Sequence, residues 1–295
     1  MKYAGLISKM TLEEKASLTS GADFWHTKAV ERLGIPQMML TDGPHGLRKQ
    51  IGKNDHLGLN AAYPATCFPT ASAAANSWDE ELIEQMGVRL GAEARAQEVS
   101  VVLGPGVNIK RSPLCGRNFE YFSEDPVISG KMASAIISGC ASQGLVTTIK
   151  HFVLNDQESN RAGIYTWADE QTMREIYLKA FEIPIKETKC CGIMSAFNRL
   201  GTTWCGASSA LLNDLLRTEW GFEGFVVSDY SSNFTGTGYM SPVLAVYNGN
   251  DTILTGIWAL NKPSHVAAIK LAYRRDPIGF GQALREACKN LCIAK

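Results

Sequence analysis

Neither a surplus charge of one sign nor a long apolar run is present in this sequence. Its 29 Lys and Arg are matched by 29 Asp and Glu, which removes the broad cationic footprint that nucleic acid or an anionic membrane surface requires. No stretch approaches the ~18 uninterrupted apolar residues of a membrane-spanning helix. Met1-Lys2-Tyr3-Ala4-Gly5 lacks the basic-then-apolar profile of a secretory leader, so a cytoplasmic location is expected. Histidine is scarce: His26, His45, His56, His151 and His265 include no pair at ligand spacing, and neither a metal nor a cofactor is expected. The eight cysteines, Cys67, Cys115, Cys140, Cys190, Cys191, Cys205, Cys288 and Cys292, complete no zinc pattern and read as reduced structural thiols. Linkers, low-complexity tracts and internal repeats are also missing.

What is present is ordinary globular composition, 45% hydrophobic and 20% charged over 295 residues, enough for one large domain or two modest ones. Seven apolar runs, at 37–40, 68–75, 99–103, 146–150, 193–197, 225–228 and 252–254, end in polar residues and are followed by amphipathic stretches. That alternation predicts strands and helices around a parallel sheet. Thr11-Leu12-Glu13-Glu14 and Ser77-Trp78-Asp79-Glu80 read as capping boxes, the second opening a helix with Leu82, Met86 and Leu90 on one face. Residues 211–220 read as a helix stopped by Gly221, and closing helices are expected around 265–272 and 277–292. With no composition break, the expectation is an α/β chain forming a single (β/α)8 TIM-type barrel over residues 1–295, irregular near its start, where 47–66 is Gly-rich and one strand is unaccounted for. An open doubly wound sheet is the alternative.

In such a barrel the residues following each strand face the site. Here these are Asp42, Lys150-His151, Asn198 and Asp229, with Asn250-Asp251 preceding the last run. Singly, each is a common turn former or helix cap; jointly they suggest chemistry. Asp229 ends a wholly apolar strand, and its carboxylate could attack an electrophilic carbon, take a proton or bind a metal. Lys150 and His151 should point to opposite faces unless the strand bends. The polar loop 155–161 suits a ligand rich in hydroxyls. The cluster Gly116-Arg117-Asn118-Phe119-Glu120-Tyr121-Phe122-Ser123-Glu124-Asp125-Pro126 offers aromatic faces with polar edges, as a sugar ring needs. Trp25, Trp167 and Trp204 could serve as sugar platforms or as core.

The ordered set Met10-Thr11-Leu12-Glu13-Glu14-Lys15, Asp42-Gly43-Pro44-His45-Gly46, Gly116-Arg117-Asn118-Phe119-Glu120, Lys150-His151-Phe152, Gln157-Glu158, Met194-Ser195-Ala196-Phe197-Asn198, Val227-Ser228-Asp229 and Gly249-Asn250-Asp251 resembles the catalytic barrel domain of glycoside hydrolase family 3, which includes β-glucosidases. The resemblance implies hydrolysis of terminal non-reducing β-D-glucosyl or related residues by a retaining mechanism, with a β-glucoside or oligosaccharide as substrate. It places Asp229 on the nucleophile, and Asp42, Arg117, Lys150, His151 and Arg161 on positions holding sugar hydroxyls, with Met194 nearby. Tyr230 stands where the glucosidases usually carry tryptophan, Phe197 where tyrosine is common, and Gly236, Gly238 and Pro242 suggest an adapted loop over 231–246. A retaining enzyme needs a second carboxyl group as acid/base. The resemblance assigns that group to an α/β sandwich domain, which this chain is expected to lack, so that a second domain or chain would supply it. Within the chain, Glu158, Asp156 and Glu120 are the candidates, in that order. The alternatives are a sugar-binding barrel with little or no activity, and an aldolase or isomerase using Lys150 as a Schiff base.

Overall fold

The computed structural model describes residues 3–52, 60–231, 238–254 and 258–294. Its strands are β1 (Leu40–Thr41), β2 (Val101–Val102), β3 (Val146–Phe152), β4 (Tyr165–Thr166), β5 (Gly192–Ser195), β6 (Arg199–Leu200), β7 (Thr203–Trp204) and β8 (Phe225–Ser228). The main sheet runs β1-β2-β3-β5-β8, all parallel. Val101, Val102, Ile149, Ile193, Val226 and Val227 are at most 1% exposed. They are buried on both faces, as parallel strands flanked by helices must be, and each such side chain contributes ~1.5–3 kcal/mol on leaving water.

Beyond β8 the sheet continues by single parallel bridges, Val227 to Thr252 and Ile253 to Ser20. The chain then runs from Ser20 to His26, which bridges Met39 antiparallel beside β1, and the Leu40 N–H donates to the Trp25 carbonyl at 2.7 Å. The sheet therefore curls back onto its own first strand and closes through the irregular segment 20–27. The expected barrel forms, but its irregular seam lies at 20–27, not at the expected 47–66, part of which lies outside the described residues.

Not every expected element survives. The run 68–75 holds a helix, Ala71–Ala75, rather than a strand. Its alanines favour helix, and the Thr70 hydroxyl caps it by accepting from the Ala73 N–H at 3.3 Å. The Thr11 capping box forms in both directions. The Ser77 box does not: Asp79 caps Glu80–Ala96 by accepting from the Leu82 N–H at 2.9 Å, while the Ser77 hydroxyl accepts from Asp79. Nor is Leu82 on the buried face, being 52% exposed. That face is Ile83, Gly87, Leu90, Gly91 and Ala94, because the helix crosses Pro126–Ser142 at a glycine contact. A Cβ at Gly139 would stand 2.1 Å from the Glu84 carbonyl oxygen, so only glycine admits this approach.

The helix Ala210–Glu219 ends at Gly221, φ 73°, as expected, and Trp258–Arg275 and Gly279–Ala294 close the chain. Gly236 and much of the loop singled out after Ser231 lie outside the described residues. No helix among the described residues is long and apolar enough to cross a membrane.

Candidate active site

Asp229 follows β8 at the carboxyl end of the barrel and is 8% exposed. Its N–H donates to the Ser195 carbonyl at 3.1 Å, fastening it to β5. Its Oδ1 accepts from the Tyr230 N–H at 2.7 Å, which orients the carboxylate. Burial pushes this carboxyl above the ordinary aspartate range, against the opposing pull of Arg117, Arg161 and Lys150. A buried carboxylate held beside several cations is the electrostatic mark of a functional group rather than of a turn.

Lys150 and His151 both reach the site, against the strict alternation of a strand. The register of β3 against β5 shifts between Ile149 and Phe152, and such an irregularity re-aims side chains. Asn108 stabilises the irregular backbone: its Oδ1 accepts from the His151 N–H at 2.8 Å and its Nδ2 donates to the His151 carbonyl at 3.0 Å. Lys150 Nζ stands 3.8 Å from Asp42 Oδ1 and 3.9 Å from Glu120 Oε2.

The His151 imidazole lies 3.0 Å from the Tyr121 hydroxyl through Nδ1 and 3.0 Å from Arg117 Nη2 through Nε2. A guanidinium only donates, so Nε2 accepts and the network assigns the proton to Nδ1. Burial, reinforced by Arg117, Lys150 and Arg161, pushes this histidine well below its usual range, and it stays neutral. Its 3.7 Å approach to Asp229 Oδ2 therefore brings two acceptors face to face rather than an ion pair. The Nε2 lone pair is already taken by Arg117, so a ligand hydroxyl beside the pair would donate to Asp229 Oδ2.

Arg117 pairs with Glu120 through Nε and Nη2 and stands 3.6 Å from Glu158 Oε1. Glu158 also accepts from Asn155 at 3.1 Å and from Arg161 at 2.6 Å. Two of the three in-chain acid candidates, Glu120 and Glu158, are thus ion-pair partners of arginines, a poor position for a group that must carry a proton to a leaving group. The third, Asp156, is buried and pushed up to about 7 by that burial. Its neighbours are Arg111 and the Ile109 N–H, not the cations that act on Asp229.

The other expected residues divide. Asp42 sits at the rim with its side chain 43% exposed. Arg161 lies over the Phe197 ring, 4.5 Å from its centroid. Met194 is buried in the main core and pairs in register with Val227, which alternates onto the same face as Asp229. Tyr230 meets Trp25 edge-on at 5.9 Å and donates to the Phe24 carbonyl at 3.3 Å. Trp25 and Trp204 are core, their indole N–H groups bonded to Gln50 and the Ala196 carbonyl, whereas Trp167 is 73% exposed.

Two strand-end polar groups are structural. Asn198 bonds the Val153 carbonyl and Thr166. Asp251 stands where the last strand begins and accepts from Arg217, the Val226 N–H and Asn290 at 2.7, 2.7 and 2.9 Å; that end of a barrel serves stability. No group of three or more His, Cys, Asp or Glu that could hold a metal occurs among the described residues.

The geometry agrees with the comparisons. Thermostable beta-glucosidase B of Acetivibrio thermocellus is 53% identical over 227 residues, covering 77% of this chain and 30% of that protein. The exo-alpha-(1->6)-L-arabinopyranosidase of Bifidobacterium breve is 47% identical over 228 residues, again 77% of this chain and 30% of the relative. Among solved structures, beta-glucosidase 3B from Thermotoga neapolitana in complex with alpha-D-glucose superposes with TM-score 0.88 and 39% identity, over 98% of this chain and 42% of that one. The chain thus spans under half the length of these proteins. The family model described as the glycosyl hydrolase family 3 N terminal domain matches residues 3–254, and the chain belongs to that family.

Proposed function

We propose that this barrel carries the nucleophile and the sugar pocket of a retaining β-glycosidase that removes terminal β-D-glucosyl residues. The observation that carries the reading is the setting of Asp229: a carboxylate pinned by a main-chain N–H, buried, and surrounded by Arg117, Lys150 and Arg161 with a neutral His151 beside it. Such a group can attack an anomeric carbon while the cations and Asp42 hold sugar hydroxyls through charge-assisted bonds. The glucosidases and arabinopyranosidases among its relatives support a glycoside substrate and leave the choice of sugar to details of the pocket.

The acid/base is assigned to a carboxyl group of a second domain or chain, because Glu120 and Glu158 are engaged with arginines and Asp156 lies in another group. Activated aryl glycosides, whose leaving groups need little protonation, should then be cleaved by this chain far better than disaccharides. Equal rates on both would overturn the assignment. The same engaged carboxylates favour, as a second reading, a pocket that binds sugar with little turnover. Mass spectrometry after incubation with a 2-deoxy-2-fluoro glucoside separates them: a covalent sugar on Asp229 supports the enzyme, and saturable binding without label supports the binding module.

A further inference from the structure

Tyr239 donates its hydroxyl proton to the Phe197 main-chain carbonyl at 2.6 Å. The Arg199 guanidinium covers its ring, 4.0 Å from the centroid, and Trp204 meets it edge-on at 6.2 Å. Both the hydroxyl and the ring lead to Arg161. The Phe197 ring is the floor beneath the Arg161 guanidinium. Arg199, sandwiched between Tyr239 and Tyr165, donates from Nη1 to the carbonyl of Ala162 at 3.0 Å, adjoining Arg161 in the chain. Tyr239 also packs with Tyr230 against the apolar cluster of Phe197, Trp204, Met240, Ala245 and Ile253, so the brace rests on the floor shared with the residue following Asp229.

Of the cations facing Asp229, Arg161 needs such a brace most. The Lys150 and Arg117 side chains are 5% and 20% exposed, whereas that of Arg161 is 37% exposed. Its ion pair with Glu158 uses Nη1, and a long exposed side chain fixed at one nitrogen retains much rotamer freedom. Burial holds the Tyr239 phenol up at about 12, so the hydroxyl remains a donor at any pH at which the protein would be assayed.

We propose that Tyr239 is a positioning residue for the sugar pocket: it holds the Arg161 guanidinium beside Asp229 through the Phe197 carbonyl and the Arg199 stack. The inference rests on the reading of Asp229 as nucleophile. The groups acting on that carboxylate include Arg117 from the loop after β2, Lys150 and neutral His151 from β3, Arg161 from the loop after β3, the Tyr230 N–H and the Tyr239 phenol itself. Arg161 opposes the upward push of burial on Asp229. When it is loosened, the carboxylate should take up a proton at higher pH.

Tyr239→Phe tests this, since it keeps the ring on Arg199 and removes only the hydrogen bond. On an aryl β-glucoside the variant should lose about 3- to 10-fold in kcat/KM, the worth of one such bond, mainly through KM. The acid limb of its pH profile should move upward, and glucose affinity by calorimetry should weaken by a similar factor. A merely structural role would lower the active fraction alone, leaving KM, the acid limb and glucose affinity as in the wild type, and that result overturns the inference. Failure of the underlying reading looks different: the wild-type chain would take no covalent label on Asp229. Glucose affinity would still decide the role of Tyr239 in holding the pocket.

Discussion

Asn108→Ala removes the carboxamide that holds the main chain at His151. Both of its bonds, at 2.8 and 3.0 Å, are buried, with Asn108 and His151 each 2% exposed. Alanine cannot replace either bond, so the variant leaves one buried donor and one buried acceptor unpaired, at ~1–3 kcal/mol each. The pocket is open to water at the strand ends, which favours the lower half of that range, about 2–4 kcal/mol in total. At roughly 2–4 °C per kcal/mol for a chain of this size, Tm should fall by roughly 4–16 °C. The same change frees the imidazole from its fixed approach to Arg117 and Asp229, so kcat/KM on an aryl β-glucoside should fall by at least ~10-fold.

Asn290→Ala is the comparison. Asn290 is 2% exposed and donates to Asp251 Oδ1 at 2.9 Å, at the end of the barrel opposite Asp229. It should lower Tm while leaving kcat/KM of the folded protein unchanged. Scanning calorimetry and initial rates measure both quantities. If Asn108→Ala loses stability but keeps its kcat/KM, the carboxamide does not orient His151 for function and the reasoning is refuted.

Other outcomes follow from the same geometry. Asp229→Gly should abolish turnover with little change in Tm, and azide or formate should restore part of the rate; an unfolded variant would instead make Asp229 structural. His265, buried against Thr19 at 2.9 Å, is pushed down from 6.5 to about 4 by burial. Its depressed folded value means the unfolded chain binds the proton first, so stability is full above ~6.5 and is lost as pH falls towards 4. Urea unfolding at pH 7 and 4.5 should show the wild type losing about 2–3 kcal/mol more than His265→Leu over that interval, and parallel losses would contradict it. Among the thiols, exposed Cys67 should alkylate first, whereas burial raises Cys140 and Cys190 to about 12 and Cys205 to about 11. Timed labelling with peptide mapping gives the order, and early modification of Cys205 would show that its cover opens.

The strands were legible where β-branched residues run together, as at Val101-Val102 and Val226-Val227, because burial on both faces leaves an unbroken apolar run. The run at 68–75 misled because its alanines suit a helix as well as an apolar stretch suits a strand. The closing seam at 20–27 was not legible, since single main-chain bridges leave no side-chain period. Reading polar residues after strands found Asp229, Lys150 and His151 together, and it overreached at Asp251, which precedes its strand and ties the barrel's opposite end. Alternation allowed only one of Lys150 and His151 to face the pocket unless the strand bends, and the irregular stretch that admits both is braced by Asn108, lying past Gly104-Pro105-Gly106 where no strand signal remains. Tyr239 gave no signal either: its role arises from a hydroxyl meeting a distant main-chain carbonyl, which no local pattern encodes.

The proposed chemistry depends on Asp229 as the group that bonds to the sugar. Incubating the full chain with a 2-deoxy-2-fluoro β-glucoside bearing a good leaving group, then digesting and sequencing by tandem mass spectrometry, tests it directly. A fluoroglucosyl adduct on Asp229, absent from Asp229→Gly, is the predicted result. An adduct on another carboxylate, or saturable binding that leaves every residue unmodified, would contradict it.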